Sequence, residues 1–93
     1  MKEMFMKAKK FEPIIVCYDV NIMHSQIEKL LGKSVRITVL SGNRPKILEG
    51  VMVFASSKIF GVELILGDSK IKATYTYTDL FIKKVIIEEI IIL

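Results

Sequence analysis

From Lys33 to the end of the chain, apolar and polar side chains alternate with a period of two, and turn residues interrupt the alternation at short intervals. That pattern restricts the fold to short strands joined by tight loops, because successive side chains on a strand point to opposite faces. Val35, Ile37 and Val39 alternate with Arg36 and Thr38, which predicts a strand at about 34–40. Ser41-Gly42-Asn43-Arg44-Pro45 supplies turn chemistry, and a second strand follows at about 46–55. Gly50, in its middle, marks a bulge or sharp bend of the kind that lets a sheet curl. After the turn Ser56-Ser57-Lys58, a strand at about 59–66 sets Phe60, Val62, Leu64 and Leu66 on one face. Gly67-Asp68-Ser69 closes a hairpin into a strand at about 71–78, where Ile71, Ala73, Tyr75 and Tyr77 share a face. A short turn at Thr78-Asp79 leads to a last strand at about 81–92.

Upstream of Gly32 the period changes. Met23, Ile27, Leu30 and Leu31 fall at i, i+4, i+7 and i+8, the apolar stripe of a helix, which places one at about 22–31. Asn21 suits the N-cap, and Gly32 suits the left-handed position that ends a helix. Ile14, Val16, Tyr18 and Val20 alternate as a short strand would, after Pro13, a residue that can begin a strand but not sit mid-sheet. Residues 1–12 read as a basic flexible tail, and 13–93 as a single domain. The predicted fold is mainly β: a short N-terminal helix, then a five-stranded, strongly bent antiparallel small barrel.

The last strand is the least ordinary element. Val85-Ile86-Ile87-Glu88-Glu89-Ile90-Ile91-Ile92-Leu93 is apolar on both pleat faces except at the glutamate pair. One face packs on the domain's own core, and the other needs cover from residues 14–20 or from a second subunit. Lys83-Lys84 beside Glu88-Glu89 reads as a gatekeeper pattern that keeps such a strand soluble.

Charge is unevenly placed. The net charge is +4, and the first ten residues carry four lysines against one glutamate, so the body of the domain is nearly neutral. Frequent isoleucine, lysine and glutamate with a single glutamine match the habit of thermophile proteins, or of an AT-rich genome. Cys17 is the only cysteine and His24 the only histidine. A disulfide framework and a His/Cys metal cluster within one chain are therefore excluded, and a reducing compartment is expected. Glu88 and Glu89 interrupt the longest apolar run, leaving it short of a membrane helix, and the opening lysines precede only the brief apolar stretch Ile14–Cys17, unlike a secretory leader. A cytoplasmic protein away from the membrane is expected. No nucleophile–base pair, paired-carboxylate motif, phosphate loop or dinucleotide turn is present, so neither an enzyme, a cofactor nor a small-molecule substrate is expected. Asp19, Asp68 and Asp79 sit in turn-like settings, where aspartate caps or forms Asx turns.

The order of elements resembles the Sm-like (LSm) small barrel. The matching pieces are IEKLLGKSVRITVLSG, ILEGVMVF, IFGVELIL and YTYTDLFIKKVIIEEI, over about residues 22–92. It is also similar, more weakly, to the C-terminal barrel of the bacterial ribosome maturation factor. Family members that bind uridine-rich RNA use an Asp and an Asn in the loop between the second and third barrel strands, and an Arg-Gly between the fourth and fifth. With Gly50 aligned to the family glycine, Ser56 falls near the Asp position and Phe60 near the Asn position, and no Arg-Gly occurs around Tyr77-Thr78. The resemblance therefore implies a homo-oligomer, with a ring as one form, that contacts RNA with weak sequence preference. Arg44, Lys46, Lys58, Lys70 and Lys72 lie in or beside turns, where one rim could gather them against phosphates, and Phe60 could stack on a base or belong to the core. Tyr75, Tyr77, Ile86, Ile90 and Ile92 are the candidate oligomer interface. The alternative is a protein-assembly or scaffold module that uses the barrel and its apolar last strand without RNA.

Overall fold

The computed structural model describes residues 8–93. It holds six strands and two short helices: β1 (Lys9–Pro13), α1 (Val20–Lys29), β2 (Ser34–Ser41), β3 (Arg44–Ala55), β4 (Ile59–Leu66), β5 (Ser69–Thr76), α2 (Tyr77–Phe81) and β6 (Val85–Ile92). The strands form one antiparallel sheet in the order β1-β6-β2-β3-β4-β5. The expected meander is present, and its last strand returns beside its first, Ile37 opposite Ile87. A closed five-strand barrel is not. The sheet remains open, with β1 and β5 as its edges, because a sixth strand occupies the outer side of β6.

That sixth strand corrects the reading of the N-terminal region. Residues 9–12, expected in the tail, pair with β6 together with Pro13, from Lys9 opposite Ile92 to Pro13 opposite Glu88. Residues 14–17, expected in a strand, belong to none. Most of the expected tail, residues 1–7, lies outside the described residues. The alternation at Ile14–Val20 misled because it matched a strand while having no sheet edge to join. The pairing of β1 is reinforced across β6: the Arg36 guanidinium lies 3.7 Å from the centre of the Phe11 ring, and Lys9 reaches Glu49 at 3.9 Å. Thus the free edge of the apolar last strand is paired from within the chain, while Ile86 and Ile92 on its outer face stay exposed.

α1 begins two residues earlier than its apolar stripe suggests. Asp19, not Asn21, is the cap: its extended backbone lets the carboxylate accept from the N–H groups of Asn21 (2.9 Å) and Ile22 (3.3 Å). Gly32 takes the left-handed conformation, with φ +81°, just past the helix end. Met23, Ile27 and Leu30 are buried against the sheet, whereas Leu31 of the same stripe stays exposed.

A second helix stands where the sequence reads as the end of one strand and the start of the next. Thr76 and Asp79 form a capping box, in which the hydroxyl accepts from the Asp79 N–H and the carboxylate accepts from the Thr76 N–H, both at 3.1 Å. α2 therefore replaces the end of the expected 71–78 strand and the turn at Thr78-Asp79, and a turn at residues 82–84 delays β6 to Val85.

Gly50 matters as expected, through a different device. A side chain there would collide with the backbone carbonyl of Glu63 on β4, so its absence is what lets β3 and β4 approach. The register shift that bends β3 falls later, between Met52 and Phe54. Gly61 is covered by the Phe54 ring, which fills the space a side chain would need. The inward faces of the sheet, α1 and α2 enclose one core containing Val35, Ile37, Met52, Phe60, Val62, Leu80, Val85 and Ile87.

Candidate nucleic-acid interface

Two loops from distant parts of the chain meet beside the helix starts. The β3–β4 turn is a self-bonded unit: the Ser56 N–H donates to the Ile59 carbonyl (2.8 Å), and the Ser56 hydroxyl accepts from the Ile59 N–H (3.2 Å). The Tyr77 hydroxyl then donates to the Ser56 carbonyl at 2.6 Å, tying this turn to α2. Between them opens a cleft of about 510 Å³ lined by Val20, Ser57, Lys58, Ile59, Thr76, Tyr77 and Thr78. Its chemistry is one ammonium, three aliphatic hydroxyls, the Tyr77 phenol and an apolar wall. Burial raises the Tyr77 phenol above its ordinary pKa, with the Glu28 carboxylate adding to the effect, and burial with Asp79 does the same for Tyr75. Both phenols are therefore neutral donors at physiological pH.

The expected basic residues divide between the two ends of the β3–β4–β5 ladder. Lys58 alone lines the cleft. Arg44 and Lys46 open β3, and Lys70 and Lys72 open β5, at the other end of the β3–β4–β5 ladder. Lys72 stands opposite Glu63, which compensates its charge in part. Lys84, read with Lys83 as a gatekeeper, stands at the same end of the sheet as Arg44 and Lys46, because the Leu40 N–H donates to the Lys84 carbonyl (2.9 Å) while Leu40 pairs with Pro45. Nothing local in the sequence announces that meeting, since it depends on β6 returning beside β2. Among the described residues, the ion pairs within 4 Å lie elsewhere: Lys9–Glu49, His24–Glu28, Lys33–Glu89 and Arg36–Glu88.

Phe60 does not present a ring to a ligand. It is 0% exposed, with the rings of Tyr75 and Tyr77 at 5.9 and 5.6 Å. Tyr77, a candidate for contact between subunits, is likewise a core residue at 2% exposure, and Tyr75 is half-buried. Of the other interface candidates, Ile90 is half-buried while Ile86 and Ile92 are exposed, on a strand whose two edges are bonded to β1 and β2. Ser56, near the family's Asp position, spends its hydroxyl on its own turn. His24 is tucked between Glu28 (3.6 Å) and the edge of Tyr77. Among the described residues, no three His, Cys, Asp or Glu side chains come together as metal ligands, and no helix is long and apolar enough to cross a membrane. No protein-family model matches the chain, and no curated protein matches it in sequence.

Proposed function

We propose that the chain is a non-catalytic RNA-binding protein of the Sm-like kind, acting as a homo-oligomer with weak sequence preference. The observation that carries the reading is the cleft between the β3–β4 turn and α2. Lys58 meets a phosphate, the Ser57, Thr76 and Thr78 hydroxyls bond sugar or base edges, and Ile59 and Val20 pack against a base face. No guanidinium or amide side chain lines the cleft, so the paired hydrogen bonds that discriminate bases are missing, which accounts for weak preference. Arg44, Lys46 and Lys84 add a second, unspecific attraction for the strand. The strand order β6-β2-β3-β4-β5, with the last strand beside the first of the meander, supports the Sm-like reading.

Filter binding of oligo-uridine and mixed-sequence RNA at two salt concentrations tests this. Retention at low salt that weakens at high salt is expected, with similar affinity for both RNAs. Lys58→Glu is expected to weaken binding roughly three- to tenfold at low salt, as the loss of about one phosphate contact predicts. No retention at low salt ends the reading.

One observation favours assembly without RNA as a second reading. The outer edge of β5 pairs with no described strand, and Ile65 and Ile71 beside it are exposed on opposite faces of the sheet. Light scattering separates the two readings: an oligomer that retains no RNA supports assembly alone, and a monomer at high concentration removes it.

A further inference from the structure

Past Pro13 the chain stays beside β6 for one more residue, with the Ile14 N–H donating to the Ile87 carbonyl (3.2 Å), and then runs as a strap to α1, where the Ile15 N–H donates to the Gln26 side chain (3.0 Å). Under the strap lies an apolar cavity of about 170 Å³. Its floor is core, made by Leu80, Val85 and Ile87, all buried. Ile14 and Val16 roof it, and Lys83 is the one charged side chain lining it. Apolar cavities of about 150 Å³ accept benzene, so this volume admits a ring or chain of about six carbons. Walls this poor in hydrogen-bonding groups make water an unfavourable occupant.

Lys83 carries a second, independent sign. It has φ +60°, the one positive value at a non-glycine position among the described residues. It stands just past the end of α2, where the chain turns left-handed and glycine is the usual choice. A lysine there bears a conformational cost that glycine avoids. Among the described residues its ammonium has no carboxylate within 4 Å. A strained position is thus occupied by a lysine that lines an apolar cavity.

The geometry points to a binding site for a small aliphatic carboxylate, its chain lying between the strap and β6 and its carboxylate meeting the Lys83 ammonium. The site shares no residue with the cleft and stands whether or not the chain binds RNA.

Hexanoate, hexan-1-ol and hexylammonium titrated into the isotope-labelled full chain, read by amide chemical shifts, test the assignment. Hexanoate is expected to move the amides of Ile14, Val16 and Lys83 saturably, with a dissociation constant on the order of a millimolar. It is expected to bind about tenfold tighter than hexan-1-ol, and tighter still than hexylammonium, as one uncompensated charge contact predicts. Lys83→Gly relieves the left-handed strain and so folds. That variant is expected to keep hexan-1-ol binding and to lose the preference for hexanoate. The assignment is overturned if hexanoate gives no saturable shifts at these amides, if it binds no tighter than hexan-1-ol or hexylammonium, or if Lys83→Gly leaves the preference unchanged.

Discussion

Replacing Arg36 with methionine tests how the N-terminal strand is held. Arg36 sits on β2, yet it acts across β6: its Nε–H donates to Glu88 Oε1 (2.8 Å), its Nη2 lies 2.7 Å from the same oxygen as an ion pair, and its flat face covers Phe11 of β1. Methionine keeps the aliphatic stem and removes the charge, so packing loss is small. A charge-assisted hydrogen bond contributes about 1.5–3 kcal/mol, and a cation over an aromatic face about 0.5–1 kcal/mol at a wet site. With Arg36 and Glu88 side chains 28% and 18% exposed, water replaces part of what is lost, so the lower end applies. The expected loss is about 2 kcal/mol, which for a domain of this size lowers the melting temperature by roughly 8–16 °C. Denaturant unfolding measures it, and amide hydrogen exchange locates it. Exchange is expected to accelerate at Lys10–Glu12 before it does at Ile37 or Val62, since β1 is the exposed element and those two are core. Arg36→Met with Glu88→Gln is expected to be less damaging than the sum of the two, because the second change removes the stranded carboxylate. A loss below about 0.5 kcal/mol, or uniform acceleration across the sheet, would refute the account.

Two further outcomes follow from the core. Gly50→Ala is expected to destabilise by roughly 2–3 kcal/mol or more, because the new methyl meets the Glu63 backbone, which cannot rotate aside as a side chain would; a melting curve matching the parent's would show that β3 and β4 separate freely. Tyr75 and Tyr77 have folded pKa values raised above the ordinary 10.0, first by burial. Their contribution to stability is fully present below about pH 10 and is lost as pH rises through the raised folded values. Tyr75→Phe with Tyr77→Phe is therefore expected to be less stable than the parent at neutral pH, through loss of the Ser56 bond, and to show a shallower decline above pH 10. Denaturant midpoints across that range check it, and an equal alkaline decline in both proteins would contradict it.

Much of this molecule is legible as pattern. Period-two alternation located the four strands from Ser34 to Thr76 to within a few residues, because each buries one face and exposes the other. Gly32 marked the end of α1, since a left-handed turn favours a residue without a Cβ. The capping character of Asp19 and Asp79 is legible from side-chain chemistry alone, whereas the helix that Thr76 and Asp79 start is read from the sequence as strand and turn.

Other features exist only once the chain is folded. Whether Ile14–Val20 or Lys9–Pro13 would cover β6 depended on which segment reached that edge with Phe11 beneath Arg36, two residues 25 positions apart whose contact no local pattern encodes. Phe60 and Tyr77 are core for the same reason: the return of α2 and β6 encloses them. The cleft at Lys58, the grouping of Lys84 with Arg44, and the cavity at Lys83 all join loops far apart in sequence. Alternation and turn residues determine which backbone segments extend and where they reverse, since those are short-range preferences. Closure, edge cover and the company each charge keeps are decided by long-range packing, where one sheet edge can accept only one partner.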